Sequence, residues 1–247
     1  MSCAIAEEKM ISIILPTKNE PLVCDLIEEI AMIMKGLKRP YEILAIDDSN
    51  DDTFMNLELS EARVIKQTSK GLGGAIIEGF NNANGTLLIT MDADLSHRPE
   101  YIPKLIDKSE KGFDIVIGSR REPGGKIIGW NFTRKIISAG ANFVARYIAG
   151  IKVSDVTTGY RLYKKDVIKD LCLNELKSKN YSFQLEVLSR AEEKKLEIGA
   201  IPIAFYDRER GKSKLSKKEI FSFLITAIRI RLTKIKSFKF FPTIDKR

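Results

Sequence analysis

The sequence predicts an α/β fold, a Rossmann-like, mostly parallel sheet flanked by helices, and three observations predict it. Short β-branched runs alternate with stretches of helical period, the pattern of strands joined by crossover helices. Two of the runs, residues 41–46 and 86–91, end on acidic residues, Asp47 and Asp48 in one case, Asp92 and Asp94 in the other. Charge is also segregated along the chain. From Asp207 to the end there are 13 Lys or Arg against 4 Asp or Glu, whereas residues 1–206 carry 28 against 29. The formal net charge of +8 is therefore a property of the tail.

The elements follow in order. Residues 11–15 form a β-branched run that Pro16 stops, which suits a buried parallel strand entering a loop. From 21 to 37, Leu22, Leu26, Ile27, Ile30, Ile33, Met34 and Leu37 recur at helical spacing with Asp25, Glu28 and Glu29 outside the stripe, and Gly36 and Pro40 end the helix. A second strand covers 42–46, a third 63–66, and a helix over 73–84 leads to the strand ending at Met91. Residues 114–118 repeat the pattern after another helical stretch. A turn-rich loop, 122–126, then precedes a helix over 130–149 on which Arg134 and Ser138, four apart, share one face. A further helix covers 182–192. No internal repeat or low-complexity segment is evident.

Composition bounds the class. The 247 residues are enough for one large domain or one domain with a tail, and 44% hydrophobic with 30% charged residues is ordinary for a soluble globular protein. Cys3, Cys24 and Cys172 have no CxxC spacing and read as small hydrophobes in a reducing, cytoplasmic compartment. Residues 1–10 lack the apolar region of a signal peptide, and no uninterrupted apolar stretch reaches the 18 or so residues of a spanning helix. The division expected is 1–216 for the catalytic unit and 217–247 for a basic amphipathic tail.

In a parallel sheet the carboxyl ends of strands lie along one rim, so acids from both runs converge where a cation and the phosphates of a nucleotide bind. An Asp-x-Asp after a strand is a weak signal alone; its weight comes from the series around it. In order, the series is residues 15–20 (LPTKNE), 46–49 (IDDS), 70–74 (KGLGG), 91–95 (MDADL), 118–120 (GSR), 158–161 (TGYR) and 208–215 (RERGKSKL). Over roughly residues 10–225 this series resembles the dolichol-phosphate mannose synthases, family-2 inverting glycosyltransferases of the GT-A fold. Arg134 with Ser138 and the 208–215 segment are the more discriminating pieces and look like the branch that uses polyprenyl phosphates.

The resemblance implies transfer of mannose from GDP-mannose to dolichyl (polyprenyl) phosphate. Pro16, Thr17, Glu20, Ile46 and Asp48 are implied to line the nucleotide pocket, with Asp92, Ala93 and Asp94 at the diphosphate. Asp92, Asp94 and Ser96 would be the ligands of Mg²⁺ or Mn²⁺, with Asp94 and Arg120 implied as the catalytic pair. Arg120, Arg134 and Ser138 map onto groups gripping the acceptor phosphate, and Arg208 and Lys214 onto a loop near the donor. Three positions depart from the family pattern: Ser96 stands where Gln is often a metal ligand, Lys18 where an aromatic is frequent, and Lys212 where Glu is usual. The chemistry agrees with the cation-rich assignment, because a sugar diphosphate and a lipid phosphate repel and fixed arginines plus a metal offset that repulsion.

A phosphate nucleophile is already anionic, so no general base is required. His97, three residues after Asp94, reads as a group behind the metal ligands or as a solvated side chain. Tyr160 and Arg161 are expected to close over the sugar or the acceptor, and Gln184 with Glu186 to bind sugar hydroxyls or to lie on a polar helix face. The apolar segment 220–228, followed by Arg229, Arg231, Lys234, Lys236 and Lys239, has two readings: an interfacial helix meeting anionic headgroups, or packing against the catalytic unit. The first gives a peripheral protein on the cytoplasmic face of a membrane, with a small membrane-anchoring protein as a further partner. Other classes weighed are a glucosyltransferase using UDP-glucose, a catalytically dead scaffold, and a nucleic-acid-binding module. The last is disfavoured because the basic charge is confined to the tail and the acidic rim repels a polyanion.

Overall fold

The computed structural model describes residues 9–207 and 216–240, with side chains through 235. Seven strands form the main sheet in the order β3-β2-β1-β4-β7-β5-β8. These are β1 (Ile11–Thr17), β2 (Tyr41–Asp47), β3 (Arg63–Lys66), β4 (Leu87–Thr90), β5 (Ile115–Ser119), β7 (Arg161–Lys164) and β8 (Ile198–Pro202). Six strands run one way, and β7, inserted between β4 and β5, runs against both. A parallel pair, β6 (Lys126–Ile128) and β9 (Ala204–Tyr206), stands beside it.

Side-chain parity divides the strands between two cores. Ile14, Leu44 and Ile46 enter the core shared with α3 (Gly71–Asn82), α6 (Ser182–Glu193) and α7 (Lys217–Phe240). Ile11, Ile13, Leu15, Ile43 and Ala45 enter the opposite one with α1 (Val23–Leu37) and α4 (Ile102–Glu110). With both faces covered, the strands read as continuous apolar runs.

Several boundaries differ from the sequence reading. Strand β1 runs through Pro16 to Thr17, since a missing N–H at the strand's end removes little pairing. Gly36 lies inside α1, and Lys38 takes the left-handed cap with φ 53°. The helix expected over 130–149 is α5 (Phe132–Tyr147), started by Asn131, whose side-chain oxygen accepts from the Arg134 N–H. Strands β6 to β9 and the short helix α2 (Thr53–Glu58) were not legible in the periodicity. Cys24 and Cys172 are free thiols; Cys3 lies outside the described residues.

The tail does two things at once. Phe223, Thr226, Ala227 and Ile230, one helical face of α7, are buried, and the helix packs on α5 and α6. Ile220, Phe221, Leu224, Ile225, Ile228, Leu232 and Ile235 stay exposed on the remaining face. Among the described residues no helix is long and apolar enough to cross a membrane.

Candidate functional site

The carboxyl ends of β1, β2, β4 and β5 meet on one rim, together with the start of the reversed β7. Local hydrogen bonds shape the first part. Thr17 Oγ1 donates to Asp47 Oδ1 (2.7 Å), and Asp47 also accepts from the Ser49 hydroxyl (2.6 Å) and N–H (3.1 Å). Asp47 is buried, so of the acidic pair it shapes the loop and Asp48 is the one facing solvent, 2.5 Å from Lys18 Nζ. Asn19, at φ 52°, ties the two strand ends by donating its N–H to Ser49 Oγ (2.8 Å). Pro16 and Glu20 are half-buried at the same loops. The side chains of Ile46 and Ala93 are wholly in the cores, so only their backbone meets the rim.

Asp92 and Asp94 follow β4. Leu95 adopts φ 60°, which folds the chain back so that Ser96 donates both its N–H (3.1 Å) and its hydroxyl to Asp94 Oδ1. Ser96 is thus a donor to a proposed metal ligand in this geometry. Asp92 lies against Gly159, where a Cβ would stand 2.7 Å from its Oδ1, and its side chain is 41% exposed. His97 is fully buried and not solvated. Its Nδ1 accepts the Asp92 N–H (3.1 Å), and its ring packs on Tyr160 and Phe205 with centroids 5.0 and 5.1 Å away. Burial holds its pKa below the ordinary value against the pull of Asp92 and Asp94, which keeps the ring neutral as that acceptor role requires. Among the described residues no three His, Cys, Asp or Glu gather into a metal cluster. Two hard carboxylates on one loop still fit Mg²⁺ or Mn²⁺ when a ligand diphosphate completes the shell.

The basic side of the site lies beyond β5. Arg120 is buried and paired to Asp155 through two bonds, Nε to Oδ2 (2.7 Å) and Nη2 to Oδ1 (2.8 Å), with Nη2 also reaching Thr157 Oγ1 (2.6 Å). Burial alone would raise the Asp155 carboxyl, but the Arg120 guanidinium outweighs it and holds the pKa at about 2. Arg120 is therefore already engaged within the protein. It also lies over the rings of Trp130 (5.3 Å) and Phe205 (5.1 Å). Although Arg134 and Ser138 share a face of α5, they part company: Arg134 pairs with Asp207 and stacks 4.5 Å from the Trp130 ring, while Ser138 accepts from Arg121 Nη2 (3.2 Å). Arg121, Asp155 and Trp130 were missed in the sequence; the tandem Arg120-Arg121 was the only signal. Arg208, Lys212 and Lys214 lie outside the described residues.

The two sides are sewn together by β9. Tyr206 donates its N–H to Ser96 O (3.1 Å), and His97 bridges to Phe205, so the loop of Asp92 and Asp94 and the arginine cluster share one strand. Two expectations are corrected. Tyr160 and Arg161 do not close over anything: both are fully buried, Tyr160 donating to Arg98 O (3.1 Å) and Arg161 to three backbone carbonyls. Gln184 and Glu186 do not lie on a polar helix face: both are buried, and Glu186 pairs with Arg229 (2.9 Å) and accepts the Ser178 N–H (3.0 Å).

Comparison with known proteins agrees with this architecture. The glycosyl transferase family 2 model matches residues 12–172. A dolichol-phosphate mannosyltransferase of Pyrococcus furiosus is 39% identical over 224 residues, covering 87% of this chain but 61% of the relative, so the chain spans under two thirds of that protein's length. An undecaprenyl-phosphate mannosyltransferase of Micrococcus luteus is 36% identical, covering 82% of this chain and 86% of the relative. Among solved structures, glucosyl-3-phosphoglycerate synthase of Mycobacterium tuberculosis, in complex with Mn²⁺, UDP and glucosyl-3-phosphoglycerate, superposes with a TM-score of 0.68. At 17% identity, over 92% of this chain and 80% of that one, it shows the GT-A fold. The chain belongs to glycosyl transferase family 2 and, within it, to the branch of the dolichol- and undecaprenyl-phosphate mannosyltransferases.

Proposed function

We propose that this chain transfers mannose from GDP-mannose to the phosphate of a dolichyl or other polyprenyl lipid, with inversion at the anomeric carbon. The observation that carries the reading is the union, through β9, of an Asp-x-Asp loop with an arginine cluster: one suits a sugar diphosphate, the other a phosphate monoester. The names of the two relatives support the mannose and the lipid.

In this reading Pro16, Thr17, Glu20, Ile46 and Asp48 form the nucleotide side of the rim. Asp92 and Asp94 would hold Mg²⁺ or Mn²⁺, with Ser96 fixing the Asp94 carboxylate, and such a cation would supply charge to offset that of the diphosphate. Arg121, Arg134 and Ser138 hold the acceptor phosphate, Arg120 frames it from the Asp155 pair, and Arg208 and Lys214, outside the described residues, are assigned to the donor by the family resemblance. A phosphate oxygen forms the new bond to the anomeric carbon as the bond to the nucleoside diphosphate breaks, its electron pair leaving with GDP. Fixed guanidiniums keep the two anions together without having to reorganise.

Residues 1–216 form the catalytic unit, and 217–247, with α5, the membrane-facing part. Phe132, Ile136, Phe143 and Tyr147 are exposed along α5, which packs on α7, and Lys135, Arg146 and Arg231 on these two helices are exposed as well. Exposed apolar residues with basic neighbours suit an anionic lipid surface, which we assign to the cytoplasmic face of a membrane, with or without a small anchoring protein. The test is sugar transfer from labelled GDP-mannose, and in parallel UDP-glucose, to a polyprenyl phosphate in detergent, with and without chelator. Chelator-sensitive glycolipid from GDP-mannose is the expected result. Product from UDP-glucose alone changes the donor, and none from either overturns the proposal.

A further inference from the structure

Two arginines share the Trp130 ring, and they are held in different ways. The Arg120 guanidinium lies 5.3 Å from the ring centroid and that of Arg134 4.5 Å. Arg120 is 4% exposed and makes two bonds to the wholly buried Asp155, so opening that pair would strand a charge in the interior. Arg134 instead pairs with Asp207 where the two side chains are 26% and 33% exposed. An ion pair that solvent reaches contributes little and opens at small cost.

Each member of the exposed pair has a support that does not depend on the other. Arg134 keeps the Trp130 ring against its guanidinium when a carboxylate leaves it. Asp207 is fixed through its backbone: its N–H donates to Ile128 O (2.9 Å), and its Cβ stands 2.9 Å from where a Cβ of Gly129, at φ 85°, would be. The residue before it, Tyr206, donates its N–H to Ser96 O (3.1 Å), on the loop of Asp92 and Asp94. The carboxylate is thus carried on a strand end braced against that loop, and it touches the guanidinium whose partner can be exchanged.

We infer that Asp207 occupies, on Arg134, the place an acceptor phosphate takes, so that the two anions compete for one guanidinium; this rests on the lipid-phosphate acceptor proposed above. A phosphate monoester displaces the carboxylate because it brings more negative charge and a further acceptor oxygen. The diester product has given one of its oxygens to the sugar bond and holds the guanidinium less firmly, so the return of Asp207 helps it leave. Asp207 is then a positioning residue that keeps Arg134 paired between turnovers and limits retention of product.

The test is Asp207→Asn in the full chain, titrated in detergent without sugar nucleotide, with farnesyl phosphate as the monoester probe and methyl farnesyl phosphate as the diester probe. Both should bind about two- to fivefold tighter than to wild type, as removal of one part-exposed ion pair predicts, with the melting temperature unchanged. In an Arg134→Ala background the same substitution should change neither affinity, since the shared guanidinium is gone. Asp207→Ser carries the same expectations should the Asn variant fail to fold. Unchanged or weaker probe binding in a folded variant overturns the inference, as does a tightening that survives in the Arg134→Ala background, which would mean repulsion through space. Wild type that binds the monoester while the variant shows no gain overturns the inference alone. Wild type that binds neither probe and transfers no sugar to a polyprenyl phosphate overturns the lipid-phosphate reading and the inference with it.

Discussion

Replacing Asp155 by asparagine isolates the buried charge pair under the arginine cluster. Asp155 is wholly buried and the Arg120 side chain is 4% exposed, so solvent screens the pair little. The Asp155 carboxyl titrates at about 2 in the folded protein against an ordinary 3.8. The unfolded chain therefore binds more protons between those values. The stabilisation, about 2 kcal/mol, is complete above pH 4 and disappears as pH falls toward 2. At neutral pH the Asp155→Asn variant leaves the guanidinium buried without its counter-charge, which costs about 3–5 kcal/mol. For a chain of this size that lowers the melting temperature by roughly 10 °C. Thermal unfolding followed by circular dichroism from pH 2 to pH 7 checks both parts: a large loss at pH 7, and a shallower decline between pH 4 and pH 2 than wild type shows. A double variant, Arg120→Met with Asp155→Leu, should cost less than Asp155→Asn, since no charge is left unpaired. A loss under about 1 kcal/mol in Asp155→Asn, or an unchanged acid limb, refutes the reasoning.

Three other substitutions probe the rim. Asp94→Ala should leave the melting curve intact and reduce transfer by about a hundredfold or more; full activity with Mg²⁺ present would remove Asp94 from the metal site. Arg134→Ala should raise the KM for polyprenyl phosphate about tenfold with donor affinity unchanged, as loss of one charge-assisted bond predicts; a change confined to donor affinity would reverse the assignment. Gly159→Ala places a methyl 2.7 Å from Asp92 Oδ1 and must displace that carboxylate. Weaker Mn²⁺ dependence of transfer in a folded protein is the expected signature, and an unaltered metal titration would mean that Asp92 does not hold the ion.

Features under the control of short-range chemistry were legible in the order of residues alone. The long runs of β1 and β2 and the stripe of α1 carry their period within one element, and Asp47, Asp48, Asp92 and Asp94 were legible because they terminate such runs. The turn of Ser96 back onto Asp94 is likewise a two-residue event. Strands of three to five residues, such as β6 and β9, have too little sequence to show a period, and the reversal of β7 depends on neighbours it meets only in the folded sheet.

Partner choice was decided at longer range. Arg120 finds Asp155 from 35 residues away, and Arg134 finds Asp207 from 73, so helix spacing on α5 did not reveal that Ser138 would take Arg121 instead. Tyr160 and Arg161, polar-tipped residues in a motif, became core residues because the carbonyls of Thr158, Val156, Gln184 and Arg98 converge on them. The tail shows the same limit. Hydropathy marks α7 as apolar around most of its circumference, but only docking on α5 and α6 separates the face that is buried in protein from the face left exposed. Hydrogen bonds and ion pairs act over a few ångströms, and which groups come within that distance is set by strand order and helix packing.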